Sequence, residues 1–402
     1  MERIIFHIDV NSAFLSWTSV EHLKTGTGPD LRKIPAIIGG DRASRHGVVL
    51  AKSIPAKSFQ IKTGEPIVNA LRKCPGLVIA PPNHKMYETY STHLMSYLRE
   101  LTPDVEQVSI DECYLDFTGI AHLYPTPVIA AGKIKDEIYD RFGFTVNIGI
   151  SSNKLLAKMA SDFQKPNKIH TLFPHEIKEK MWPLPVEELY MAGQASVATL
   201  HKLGIRSIGA LAQTDVTLLL PHLKSHGRML WEFANGIDDS RIHSEPSVVK
   251  GIGNSTTLAQ DAITKEEAHA VLRTLSESVS SRLRHAKQIA GNICVEIKYS
   301  TFASVSHQIK IEPPTNTSER IYCTACQLFE TLWNKTPIRL LGIRATKLLS
   351  DDAPIQMSLF AFDATDNEKQ KKLDLALDAI KKRYGEQAVK RGSSLSVPPK
   401  SS

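Results

Sequence analysis

Beyond Lys250 the hydrophobic period of the sequence switches back and forth in a fixed order, and that order admits few folds. KGIGNSTTL reads as a strand. Thr264, with Glu267 three residues on, forms a capping box that opens a helix with apolar positions Ala268, Val271, Leu272, Leu275, Val279 and Leu283; Gly291 is expected to end it. NICVEIKY then places Ile293, Val295, Ile297 and Tyr299 on one face, and VSHQIKI offers a second strand. A helix is predicted from Ser318 to Trp333, and IRLLGIRATKL closes the run as a strand. The resulting order is β-α-β-β-α-β, the split βαβ arrangement. Between Val279 and Lys310 the basic residues Arg282, Arg284, Lys287, Lys298 and Lys310 face one acid, Glu296. Such an edge suits a phosphate-bearing polymer, and it suits a merely solvated surface equally well.

The rest of the chain is less regular. RIIFHIDV predicts a short buried strand ending in Asp9, followed by helical spacing through Phe14, Leu15 and Trp17. Between residues 25 and 82, Gly39-Gly40, Pro55, Gly64, Pro66, Pro75, Gly76 and Pro81-Pro82 cut the chain into short pieces, as in a small inserted subdomain. A helix around Met86 to Leu101, the stretch VSIDECYLDFTG, a helix from Pro127 to Phe142, the strand FTVNIGI and the helix SNKLLAKMASDF then alternate, which predicts one mixed α/β sheet. Helices dominate from Trp182 to Asp239, with a turn at Leu203-Gly204-Ile205 and a second helix starting at Ser207. After Ser350 a linker, a polar helix and a Ser/Pro-rich tail are expected, the tail without fixed structure.

At 402 residues, two to four domains are expected. No apolar run approaches the roughly 18 residues of a membrane helix, and MERIIFHID lacks a signal-peptide layout, so a cytoplasmic protein without membrane contact is expected. Five scattered cysteines argue for a reducing compartment; the pair Cys323 and Cys326, in a helical pattern with no second ligand pair, reads as structural. The net charge of +7 suits a polyanionic partner without requiring one.

Within VSIDECYLDFTG, Asp111 and Glu112 are adjacent, so in a continuous strand one of them would be driven into the core at a cost of several kcal/mol. Either the strand is interrupted there, or a positive partner meets both acids. Clustered carboxylates raise one another's pKa unless a cation neutralises them, and hard divalent ions prefer oxygen ligands. On spacing alone, a hairpin capped by Asp111 with Glu112 in water is the simpler explanation of the pattern.

Four stretches, HIDVNSAFLSW, VSIDECYLDFTG, GISSNKLLAKMASDFQKPN and PLPVEELYMAGQASVATLHKLGIRSIGAL, occur in an order and at spacings that resemble the Y-family DNA polymerases, the translesion enzymes, and within them the bacterial polymerase IV branch. The resemblance spans roughly residues 1 to 350. It implies an α+β, multidomain right-hand polymerase: a ferredoxin-like palm (1–11 and 77–168), small fingers (12–76), a helical thumb with a helix-hairpin-helix (169–240), a β-α-β-β-α-β little finger (245–349) and a C-terminal tail (350–402).

Carried over position by position, the resemblance implies that Asp9, Asp111 and Glu112 are catalytic carboxylates that bind two Mg²⁺ ions, with the backbone carbonyl of Val10 as a further ligand; the chain is then expected to turn at Ile110 to Glu112, with VEQVS and CYLDF as antiparallel arms and both acids at the tip facing Asp9. It places Phe14 as the steric gate against a 2′-hydroxyl, and Lys165 on the triphosphate of a deoxynucleotide. The family's triphosphate-gripping Tyr and Arg are replaced by Ile54 and Lys57, with Ser53 as a partial substitute. Ala13 stands where an aromatic residue is common, and Met191-Ala192-Gly193 replaces the usual Gly-x-Gly of the thumb hairpin. Primer–template DNA is expected against Gly193, Arg282, Arg284 and Lys298. Gln356, Met357, Leu359 and Phe360 of QMSLF resemble the pentapeptide that docks into a sliding clamp, here presented as a loop well before Ser402. A monomer is expected. Two other classes are weighed: a DNA-binding accessory protein with a degenerate polymerase fold, against which the three acids argue, and a nucleotidyl cyclase, which has no use for the thumb hairpin or the basic last domain.

Overall fold

The computed structural model describes residues 3–40, 47–245, 249–352, 364–385 and 388–389. Two compact units are formed, one from Met1–Gly40 with Gly47–Ser247, the other built on Val248–Ser402.

The first unit is organised by a five-stranded sheet of order β5-β6-β1-β7-β8, with β1 (Ile5–Val10), β5 (Val105–Gln107), β6 (Glu112–Asp116), β7 (Val146–Ser151) and β8 (Ile169–Thr171). Every residue of β1 and β7 is buried, which fits their positions inside the sheet. Alternation sends Phe6, Ile8 and Val10 into the main core with Trp17, Leu94, Phe117 and Ile134. These come from α1 (Ala13–Thr25), α4 (His84–Leu101), α5 (Pro127–Phe142) and the segment after β6. The opposite face carries Ile5, His7 and Asp9, and α6 (Lys154–Asp162) covers it. Gly149 of β7 sets how close α6 lies: a Cβ there would stand 2.0 Å from the Ala157 carbonyl oxygen and 2.4 Å from the Ser161 nitrogen.

The punctuated segment folds as a small sheet of order β3-β2-β4, with β2 (Ala36–Gly39), β3 (Val49–Lys52) and β4 (Val78–Ala80), accompanied by α2 (Ile54–Ser58) and α3 (Ile67–Lys73). Because β4 pairs in parallel with β2, Val78–Ala80 belongs to this sheet, beyond the limit at residue 76 expected from the sequence. The helical part contains α7 (Ile177–Lys180), α8 (Gln194–Lys202), α9 (Ile208–Gln213) and α10 (Leu220–Ala234), packed on Leu155, Leu156, Met159 and Ala160 of α6. The predicted turn is present, with Gly204 at φ 81°, and Ser207 caps α9 by accepting from the Ala210 amide.

The second unit contains the expected β-α-β-β-α-β order as β9 (Gly251–Ala262), α11 (Lys265–His285), β10 (Gln288–Tyr299), β11 (Ser304–Thr315), α12 (Ser318–Leu332) and β12 (Ile338–Ser350). The strands form one antiparallel sheet, β11-β10-β12-β9, and the Thr264/Glu267 capping box is made as predicted. Gly291 does not end α11. That helix stops at His285, and Gly291 sits in β10 at a register shift, where a Cβ would be 3.1 Å from the Lys347 carbonyl oxygen.

The polar helix expected after Ser350 is α13 (Ala364–Tyr384), and it is part of this unit rather than a separate tail. Asp374 accepts from the Ser318 backbone N–H at 2.8 Å and from its hydroxyl at 2.7 Å, capping α12 from outside. Among the described residues, no helix is long and apolar enough to cross a membrane.

Candidate active site

Pairing of β1 with β6 sets Asp9 directly opposite Glu112, and opposite residues of an antiparallel pair share a face. The turn comes slightly earlier than expected. Ser109 to Asp111 form it, with the Val108 and Ser109 amides donating to the Glu112 carbonyl, so Glu112 is already the first residue of the returning strand. Asp111 alone occupies the tip, where Ser109 Oγ lies 2.6 Å from its Oδ1 and the Val10 N–H donates to its carbonyl at 3.1 Å. The three acids therefore reach one end of the β1–β6 pair by strand register and a tied turn.

Beneath Asp9 and Glu112 lie side chains that β1, α6 and the segment following α6 supply. His7 Nε2 is 3.1 Å and Lys158 Nζ 2.8 Å from Glu112 Oε2. Lys165 donates to Asp9 Oδ2 and, at 2.8 Å, to Asp162; Lys158 also approaches Asp162 at 3.4 Å. Ser161 Oγ is 2.8 Å from His7 Nδ1. Burial lowers the His7 pKa, and its Nε2 is placed to donate to the Glu112 carboxylate.

The carboxylates are thereby driven apart. The His7 hydrogen bond and then Lys158 outweigh burial and bring Glu112 down to about 2, whereas burial lifts Asp9 despite the opposing Lys165. Burial works against the charge on Lys158 and Lys165, but their acidic neighbours prevail and raise both. Among the described residues, no three His, Cys, Asp or Glu side chains are gathered as a ready ion cage. The donors available are nonetheless all oxygens, two carboxylates in register, a third at the tip and the Val10 carbonyl, a set suited to a hard divalent ion.

The other expected residues divide into those that are accessible and those that are not. Phe14, in the first turn of α1, is half-buried and stacks on Tyr87 with ring centroids 4.4 Å apart. Lys57 and Ile54 are exposed on α2. Ser53 is not available for a nucleotide: it is buried, donates to the Ile34 carbonyl, and accepts from the Ala36 and Ala56 amides as the N-cap of α2. Gly193 is exposed at the start of α8, and a Cβ there would meet nothing within 4 Å, so the fold itself does not demand glycine.

In the second unit, Arg282 is exposed and donates to the Gly253 carbonyl at 2.7 Å, while Lys298 is half-buried with its ammonium over Phe302. Arg284 is not a surface cation. Its side chain is 6% exposed and its guanidinium meets Asp378 at 2.7 and 3.0 Å, Asp374 at 3.3 Å and the Asn316 carbonyl at 2.9 Å. Cys323 and Cys326 are free thiols on α12, both raised in pKa by burial, which fits a structural role. Gln356, Met357, Leu359 and Phe360 lie outside the described residues. His7, Lys158, Ser161 and Asp162 were not anticipated. Their signal was present for α6 at least, because Lys154, Lys158 and Asp162 recur every fourth residue on a helix whose other positions are mostly apolar.

Comparison with known proteins bears on these observations. The impB/mucB/samB family model matches residues 8–162, and the model of that family's C-terminal domain matches residues 249–359. DNA polymerase IV of Clostridium acetobutylicum is 46% identical over 391 residues, which cover 97% of this chain and 98% of that protein. This chain belongs to the DNA polymerase IV family. DNA polymerase IV of Clostridium kluyveri is 36% identical, with 98% of both chains covered. A solved Y-family DNA polymerase chimera superimposes with a TM-score of 0.76 at 22% identity, covering 86% of this chain and 99% of its own, which gives the fold. As a family member the chain is an enzyme, a DNA-directed DNA polymerase of the translesion type, and a divalent metal is its cofactor.

Proposed function

We propose that this polymerase extends primer 3′-ends across damaged as well as intact template bases, using Asp9, Asp111, Glu112 and the Val10 carbonyl to hold two Mg²⁺ ions. The reading rests above all on the Asp9–Glu112 register with Asp111 tied to the Val10 N–H, an arrangement that delivers three carboxylates to one strand end. The ions, when bound, supply Lewis-acid activation of the primer hydroxyl and neutralise charge on the departing pyrophosphate. The protein's own part is to orient and discriminate. His7 and Lys158 both engage Glu112 Oε2, which leaves Oε1 for another partner. Lys165 takes up triphosphate charge, Lys57 adds a point charge nearby, and the Phe14 ring excludes a ribose 2′-hydroxyl.

The large sheet serves as palm, the small sheet through Ala80 as fingers, α7–α10 as thumb and the second unit as little finger. Primer–template DNA is tracked by the Gly193 amide and by Arg282 and Lys298. Residues Gln356, Met357, Leu359 and Phe360 bind a sliding clamp, and the enzyme acts as a cytoplasmic monomer. The deciding experiment is primer extension with Mg²⁺ on undamaged and abasic templates. Wild type is expected to extend both and Asp111→Ala neither; retained synthesis by the variant would remove the carboxylate assignment. Leu359→Ala with Phe360→Ala is expected to abolish clamp binding and leave clamp-free synthesis intact, and intact binding would refute the clamp role.

A further inference from the structure

Five side chains at the site form one alternating chain of charge: Glu112, Lys158, Asp162, Lys165 and Asp9. Its ends are the two carboxylates that oppose each other across β1 and β6. The two lysines between them are not equivalent. Lys158 is 13% exposed and rises from the middle of α6, fixed between Glu112 and Asp162. Lys165 is 37% exposed and lies beyond the end of that helix, so its ammonium can leave Asp9 without leaving water contact.

A divalent ion on Asp9 would stand within a few ångströms of an ammonium on the same carboxylate, and that repulsion opposes metal loading. A triphosphate offers the ammonium another anion to which it can move. We propose that Lys165 is an exchange counter-ion: it neutralises Asp9 until a metal binds and passes to the triphosphate as the metal takes the carboxylate. Asp162 is the positioning residue that keeps the ammonium at the site between its two partners. Metal and nucleotide binding are then linked, each removing an obstacle to the other. This inference rests on the assignments of Asp9 and Lys165 under Proposed function.

The test measures binding without turnover. Calorimetry on the full chain with a dideoxy-terminated primer–template gives the Mg²⁺ affinity in the absence of nucleotide, and the affinity for the complementary deoxynucleotide at saturating Mg²⁺. Lys165→Met is expected to move them in opposite directions: Mg²⁺ alone binds about 5-fold tighter or more, at the lower edge of ordinary coupling, and the nucleotide binds more weakly. Lys165→Gln should repeat the pattern, with thermal melting confirming that both variants fold. Asp162→Asn is expected to raise the nucleotide KM more than it lowers kcat, with Asp162→Glu restoring it. Weaker nucleotide binding with unchanged or weaker Mg²⁺ binding would overturn the exchange and leave the triphosphate role of Lys165 standing. Unchanged nucleotide affinity would remove that role and the exchange together.

Discussion

Replacing Arg284 by Met separates two readings of a residue that sequence alone places on a DNA-facing surface. The side chain it removes is 6% exposed and is held by Asp374 and Asp378, themselves 2% and 13% exposed. Deleting one partner of such a buried pair leaves uncompensated charge and costs about 3 to 5 kcal/mol. The loss is local, because Asp374 also caps α12. Native-state hydrogen exchange resolves it: protection in α11 and α12 should fall by that amount while amides of β1 and β7 keep theirs. Arg282→Ala, which removes an exposed cation from the same helix, should change protection by no more than about 0.5 kcal/mol. Combining Arg284→Met with Asp374→Asn and Asp378→Asn should recover much of the loss, because no charge is left unpaired. Unchanged protection together with a uniform drop in DNA affinity would refute this reasoning and return Arg284 to the DNA surface.

Three further outcomes follow from the first unit. Phe14→Ala should raise ribonucleotide incorporation in primer extension, and unchanged sugar discrimination would dismiss the gate. Gly149→Ala should destabilise by at least the roughly 1 to 3 kcal/mol of an overpacked core, since the atoms it meets are backbone; a wild-type urea midpoint would show that α6 can move aside. Glu112, lowered from 4.5 to about 2, contributes stability that is complete above the unfolded value and is lost as pH falls from about 4.5 to 2. Glu112→Gln should therefore flatten acid unfolding across that window, and an unaltered acid limb would contradict the His7 and Lys158 contacts as its source.

What the sequence revealed and what it hid follow from the range of the interactions involved. The β-α-β-β-α-β order is carried by local periodicity and a capping box, each contained within a few turns of chain, so it was readable to within a few residues. The meeting of Asp9 with Glu112 is a long-range register, which the family resemblance implies and which two adjacent acids in a strand-like run do not reveal by themselves. The burial of Arg284 is not legible in the sequence because its partners lie 90 and 94 residues away, beyond any periodic signal. For Ser53 the competing signal is local: Ser followed two residues later by Pro is a helix start, and the cap engages the hydroxyl. Glycine is common at helix ends, which is the basis for expecting one at Gly291, whereas the irregularity in β10 uses it for close backbone approach.

The pairing of β2 with β4 bears on how such enzymes can be recombined. Ala36 lies opposite Val78 and Ile38 opposite Ala80, so the points where the chain enters and leaves the small sheet are neighbours, roughly 8 Å apart by strand geometry. The segment from Ala36 to Ala80 is therefore expected to behave as a cassette, exchangeable between relatives without stretching the flanking chain. Its seam is the apolar patch of Leu15 and Leu31 against Ala36, Ile38, Ala51 and Ala80, and a graft has to match that patch. Ile54 and Lys57 travel inside the cassette, so a family-type Tyr and Arg could be introduced as part of one movable piece while the carboxylates of the large sheet stay in place.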